Sequence, residues 1–233
     1  LAQQTNIGLH MCNGDWIINL QANEVLHESS LPVLKNIMRQ HLENPAIEAL
    51  LLRRLEFWGD YDHVGAVYPH RFKYTPRILR PHIGTYSIRD AMSVAIFDNF
   101  SRKGRYPRAA DTGQQLFRYG NVRSHDIFAD KQEHAVHHAD ANRERPLGRG
   151  DLYNSLPRSF VAPYKGSHPS VMLARITHFT DKISLADPRW RLSLTLNERR
   201  RLVETWFYQR FQIPRWRNKR YNLVGGYLPD TDD

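Results

Sequence analysis

The chain has a single cysteine, Cys12, in 233 residues. That excludes an internal disulfide and fits a reducing compartment better than an oxidising one. No run of apolar residues approaches the roughly 18 needed for a membrane-spanning helix. The opening residues lack the basic, apolar and small-residue succession of a signal peptide. Internal repeats and low-complexity segments are missing too, which excludes solenoids and arrays. What remains is the composition of a globular protein: 41% of residues are hydrophobic, enough for a proper core. The formal charge of +9 favours anionic partners, whether nucleic acid, a membrane surface or phosphorylated small molecules, without choosing among them.

The spacing of apolar residues gives a succession of elements. Residues 2–12 read as helix, with Ile7 and Met11 on one side. Asp15 to Leu20 reads as a short buried strand. A helix follows from Ser30, with Pro32 in its first turn and Leu34, Ile37, Met38 and Leu42 on one apolar face. Asn44-Pro45 stops it. Residues 46–58 are ambiguous in period but fit a strand, and a second strand-like stretch follows, where Pro76 marks an edge or a break. Residues 84–97 are mixed, 98–114 read as loop, and L-F-R-Y-G (116–120) reads as a short strand. Residues 125–138 read as helix. From Ala141 to Lys165 the chain reads as a long excursion without periodicity. A helix starts near Pro169. The last one starts at T-L-N-E, where Thr195 and Glu198 match a capping box, and runs to about Phe211 before a basic, aromatic tail.

The first strand runs into a polar cluster, Gln21, Asn23 and Glu24, the kind of edge where open α/β folds place ligands. The segment G-D-W-I-I-N-L-Q-A-N-E-V (14–25) resembles the stretch of family 2 glycosyltransferases that carries their D-x-D-type metal motif. A bacterial subgroup reads Leu-Gln-Ala-Asp-Glu-Val there, so Gln21 matches and Asn23 stands in place of an aspartate. Other segments match in the same order: T-N-I-G-L (5–9), Y-S-I-R-D-A (86–91), F-R-Y-G-N-V-R (117–123) against a Y-H-Y-G-W-V-R pattern, H-P-S-V-M (168–172) and N-K-R-Y-N-L-V (218–224). Each match is short; their shared order across nearly the whole chain carries the resemblance.

The resemblance implies an α/β fold of the GT-A type, a Rossmann-like sandwich with a mixed central sheet. Residues 1–140 would form its core, and 141–233 a loop-rich excursion with C-terminal helices packed on that core. The nucleotide-binding first strands would lie before Leu1, so either the chain is an N-terminally truncated fragment or a second chain supplies them. The implied activity is inverting transfer of a sugar from a nucleotide-sugar donor to a hydroxyl of a glycan or lipid-linked acceptor. The implied location is the cytoplasm, peripheral at the inner face of the membrane.

Such transfer builds negative charge on a departing diphosphate, which a divalent metal (Mn²⁺ or Mg²⁺) or well-placed cations must stabilise. It also takes a proton from the acceptor, normally to a carboxylate. The resemblance places Asp90 as that base and Gln21, Asn23, Arg118 and Arg123 as substrate contacts. Asn23 and Glu24 stand at the metal position. A neutral carboxamide holds a hard cation less strongly than a carboxylate, and strand alternation turns Glu24 away from Asn23. Arg118 replaces a histidine of the family pattern and has no lone pair for a metal. Arg118 is therefore expected to pair directly with the diphosphate in place of the metal, or else the site has decayed.

Two further groups admit other readings. His134, His137 and His138 share a helical face at zinc-holding spacing, without an evident fourth ligand. Arg199, Arg200, Arg201 and Arg210 interleave with Trp206, Phe207, Tyr208 and Trp216. That mixture suits nucleic acid, an anionic membrane surface, or simply the basic outer face of an amphipathic helix. A non-catalytic module binding nucleic acid or an anionic glycan, or a degenerate partner of an active transferase, therefore stands as the alternative function.

Overall fold

The computed structural model describes residues 1–65, 74–89, 91, 93–98, 104–122, 161–180, 196–211 and 221–225. The chain divides into two compact units. One comprises Leu1–Arg54, Arg71–Leu116 and Pro214–Asp233; the other comprises Leu55–His70 and Phe117–Ile213. The protein is α/β, with helices and a mixed sheet.

The first unit opens with helix α1 (Ala2–Met11), strand β1 (Ile17–Ile18), strand β2 (Glu24–Leu26) and helix α2 (Ser30–Gln40). The long strand β3 (Ala49–Gly59) follows and continues into the second unit. Strand β5 (Tyr74–Leu79) lies between β3 and β1, antiparallel to both. Strands β6 (Thr85–Ile88) and β7 (Ser93–Ile96) form a separate antiparallel pair. The 15-residue strand β8 (Arg108–Val122) pairs with β2, with β3 and with the C-terminal strand β10 (Asn222–Gly225), the last in parallel.

Alternation along β3 explains why its sequence shows no clean period. Ala49 and Leu51 join one buried cluster with Leu9 of α1, Ile17, Leu79 and Ala109. Leu50 and Leu52 join a second cluster with Leu34 of α2, Ile78, Ala110 and Leu116. A strand covered on both faces needs apolar side chains at every position. Leu50, Leu51 and Leu52 are each wholly buried, a contribution of about 1.5–3 kcal/mol apiece.

Pro76 belongs to an interior strand, so the alternative of an edge is set aside. Its partner is Leu51, and the register shifts between Leu50 and Leu51, so an irregularity absorbs the missing N–H. Trp16 fixes β1 against α2 by donating its indole N–H to the Met38 carbonyl at 3.0 Å. Arg80 stacks over the Trp16 ring at 4.4 Å. Its guanidinium also donates to the carbonyls of His41, Leu42, Asn44 and Ile47, closing the turn that leads out of α2. Asn6 of α1 exchanges two hydrogen bonds with the Ser87 backbone, as a neighbouring strand would.

Several sequence expectations need correction. Ile7 and Met11 are exposed, and Leu9 is the residue α1 buries. The first strand is only two residues long, and Ile18 and Leu20 are exposed at 42% and 40%. Residues 108–114 are strand, not loop. Asp111-Thr112-Gly113 looks like a turn because Asp111 and Thr112 accept hydrogen bonds from the N–H groups of Gly113 and Gln114, and Gly113 is left-handed (φ 65°). Thr112 then ties this bend to β3 by donating to the Leu51 carbonyl at 2.7 Å. The tail contains β10, which the basic residues before it hide.

In the second unit, strand β4 (His63–Gly65) pairs antiparallel with the end of β3 and with β9 (Val161–Pro163). Thus β9 lies at the close of the stretch read as an excursion. A 3₁₀ turn (Ser170–Met172) leads from Pro169 into the short helix α3 (Leu173–Thr177), and helix α4 spans Leu196–Phe211. The helix read over 125–138 and the side chains of the capping box lie outside the described residues. Among the described residues no helix is long and apolar enough to cross a membrane.

Candidate functional site

Residues 19–24 form the exit from β1. The Asn19 N–H donates to the Arg77 carbonyl at 2.8 Å, and the Glu24 N–H donates to the Gln21 carbonyl at 2.9 Å, closing a tight turn. Glu24 opens β2 with its carboxylate wholly buried. One oxygen accepts from Arg77 Nη2 at 2.7 Å, and the other accepts from the Gln21 N–H at 3.0 Å. Glu24 is thus the anchor of the turn. Asn23, at its tip, is half-buried, and its carboxamide oxygen is shut off from water without a hydrogen-bond partner among the described residues. A buried acceptor left unmet costs about 1–3 kcal/mol, so this oxygen is a place where a donor is missing.

The donor set decides whether this turn suits a divalent cation. A hard cation needs several oxygens, carboxylates among them. Glu24 is committed to Arg77, whose positive charge stands at the same carboxylate, and Asn23 adds one neutral oxygen. These residues do not fit a divalent metal. Among the described residues no group of three or more His, Cys, Asp or Glu comes together that would hold one elsewhere.

Arg118 lies on β8 within the second unit. Its Nη1 donates to Glu56 Oε1 in a close ion pair, and Asn121 donates to the same oxygen at 2.9 Å. Its charge is therefore shared with Glu56. Arg118 Nε is buried with no acceptor among the described residues. Asp90 and Arg123 lie outside the described residues, as do His134, His137 and His138. The residues on either side of Asp90 are informative. Arg89 and Ala91 both have left-handed backbone (φ 53° and 61°), a conformation costing about 1–2 kcal/mol for a residue with a Cβ. Both belong to the turn that joins β6 to β7, where positive φ lets the chain reverse between paired strands.

Sequence reasoning missed three groups. Arg77 is signalled only by a charge inside an otherwise apolar strand. Glu56 offered no signal until Arg118 was seen beside it. The third is an aromatic cluster in the second unit. Phe57 stacks on Phe117 and Tyr119, with Tyr164 and His168 at its edge. The Tyr119 hydroxyl lies 2.9 Å from His168 Nδ1. Burial pushes the Tyr119 phenol far above its ordinary range, helped by Tyr164 and Tyr61. Burial also lowers the His168 imidazole below its ordinary range. The H-P-S-V-M segment supplied His168, but nothing in it indicated an aromatic partner on β8.

Compared with models of known protein families, with curated proteins and with solved structures, the chain finds no match.

Proposed function

We propose that this chain is the core of a glycosyltransferase of the GT-A type, which moves a sugar from a nucleotide donor to a hydroxyl acceptor with inversion. The observation that carries the reading is the turn at residues 21–24. The motif position, Asn23, holds a buried carboxamide oxygen with no donor among the described residues, on a turn fixed by Glu24 and Arg77. A sugar nucleotide offers what a carboxamide needs: hydroxyl groups that donate to its oxygen and phosphate oxygens that accept from its NH₂. The α/β fold with a mixed sheet and the ordered motif matches agree with this reading. Asp90 is the proposed base, by its place in the Y-S-I-R-D-A match. Arg123 is a proposed phosphate or acceptor contact. The protein would work in the cytoplasm, at the inner face of the membrane where the acceptor is lipid-linked.

Calorimetric titration with UDP-, GDP-, CMP- and dTDP-sugars, with and without Mn²⁺, tests the proposal. At least one donor is expected to bind without Mn²⁺, and Asn23→Ala should weaken it about tenfold, the worth of one to two hydrogen bonds. No binding in either condition would overturn the reading. Binding only with Mn²⁺ would overturn the argument that the turn does not suit a cation.

A second reading, a nucleic-acid-binding module, is favoured by α4. Helical spacing puts Arg199, Arg200, Val203, Trp206, Phe207 and Arg210 on one arc, and all of them are exposed. Steeply salt-dependent binding of single-stranded DNA or RNA, unaffected by sugar nucleotides, would support it.

A further inference from the structure

We infer that the outer edge of β1, with the groove it shares with α2, takes an added strand: an extended, acidic segment of a partner protein. The surface lies within the first unit, and the inference does not rest on the transferase reading.

β1 stands at the end of its sheet, and β5 is its one strand neighbour among the described residues. The Asn19 N–H donates to the Arg77 carbonyl, so antiparallel alternation turns the N–H and C=O of Ile18 away from β5. They meet no backbone partner among the described residues. Natural edges are guarded by lysine, proline or a bulge, yet Trp16 to Leu20 carries neither charge nor proline. Beside this edge lies a groove of about 480 Å³. Trp16 and Ile18 form one side, and Leu31, Leu34, Met38 and Leu42 the other. The Trp16 indole N–H is already bonded to the Met38 carbonyl, so the groove itself asks for apolar side chains. An added strand suits both parts: its main chain pairs with the edge and its alternate side chains sink into the groove. An acyl chain would fill the groove and leave the Ile18 backbone unpaired.

Charge decides the kind of strand. Lys35 and Arg39, one turn apart on α2, line the groove together with Asp15, and all three are exposed. None of the three is held in an ion pair among the described residues. Arg80 adds a third positive charge beneath the Trp16 ring, where its guanidinium bonds to carbonyls and to no carboxylate. Glu28 and Glu43, the acids flanking α2 in sequence, do not line the groove. Three positive charges against one negative favour an acidic occupant.

The test uses two short fluorescent peptides with blocked ends, one alternating isoleucine with glutamate, the other isoleucine with lysine. Binding is read by anisotropy and by ¹H–¹⁵N NMR. The glutamate peptide should bind about fivefold more tightly than the lysine peptide and should slow hydrogen exchange of the Ile18 amide. Ile18→Pro removes that N–H where it faces away from β5, and should weaken the glutamate peptide about fivefold, the worth of one hydrogen bond. Lys35→Glu with Arg39→Glu, both at exposed positions, should reverse the preference. The inference is overturned if neither peptide binds, if the lysine peptide binds as tightly, or if the Ile18 amide exchanges as fast with the glutamate peptide as without it. Phosphatidylserine vesicles are the third probe. If they shift the Ile18 and Leu31 signals and the glutamate peptide does not, the groove takes lipid and the inference falls. The comparison of peptides on the unaltered chain needs no variant, so a misfolded variant leaves the test intact.

Discussion

Glu24 shows how one residue changes meaning with its surroundings. By its place in the chain it belongs to a metal motif; by its contacts it is half of a buried ion pair. Breaking such a pair leaves an uncompensated charge and costs about 3–5 kcal/mol, whereas replacing both members with neutral groups costs far less. Arg77→Met should therefore lower stability to urea by that amount, and Arg77→Met with Glu24→Gln should recover most of it. A double variant as unstable as the single one would mean that the charges themselves are not what matters. His168 makes a different prediction. Burial holds its pKa below the ordinary 6.5. The unfolded chain then binds a proton more readily than the folded one, so stability falls as pH drops below about 6.5 and through the folded value. Thermal melts between pH 8 and 5 should show a smaller loss for His168→Phe than for the unaltered chain.

At the scale of elements, the space around the absent side chain separates two glycines that share a backbone conformation. Gly84 (φ 78°) and Gly113 (φ 65°) are both left-handed. A Cβ at Gly84 would lie 2.3 Å from the Phe97 carbonyl oxygen, and one at Gly113 would meet nothing within 4 Å. Gly113→Ala should cost only the left-handed penalty, about 1–2 kcal/mol. Gly84→Ala should cost clearly more, because Phe97 N–H bonds back to the Gly84 carbonyl and the two chains are held together. Urea midpoints of the two variants check the order. The same contrast shows what was legible in the sequence. α2 was, because apolar spacing is a local property; β3 was legible only from its place after a helix that follows a strand, since its own period is ambiguous. β8 was not, because Asp111-Thr112-Gly113 carries turn chemistry that here bends a strand held by β3, and only the neighbour reveals it. The cluster Gln21, Asn23 and Glu24 was legible as a place, but the burial of Glu24 depends on Arg77, far along the chain.

At the scale of the molecule, β3 and β8 each contribute to both compact units. A strand that loses its pairing in one unit frays toward the other, so far-UV and near-UV circular dichroism should trace one coincident urea transition, as for a cooperative single body. Two separated transitions would show that the shared strands do not transmit unfolding. Arg80 adds a matter of timing. It closes the carbonyls of the turn after α2, yet it is made about forty residues later than that helix ends. On a ribosome adding roughly 5–20 residues per second, the helix emerges before its clasp. A nascent chain that stops short of residue 80 carries the helix and the open carbonyls behind it, so the exit of α2 is finished only when β5 has been synthesised.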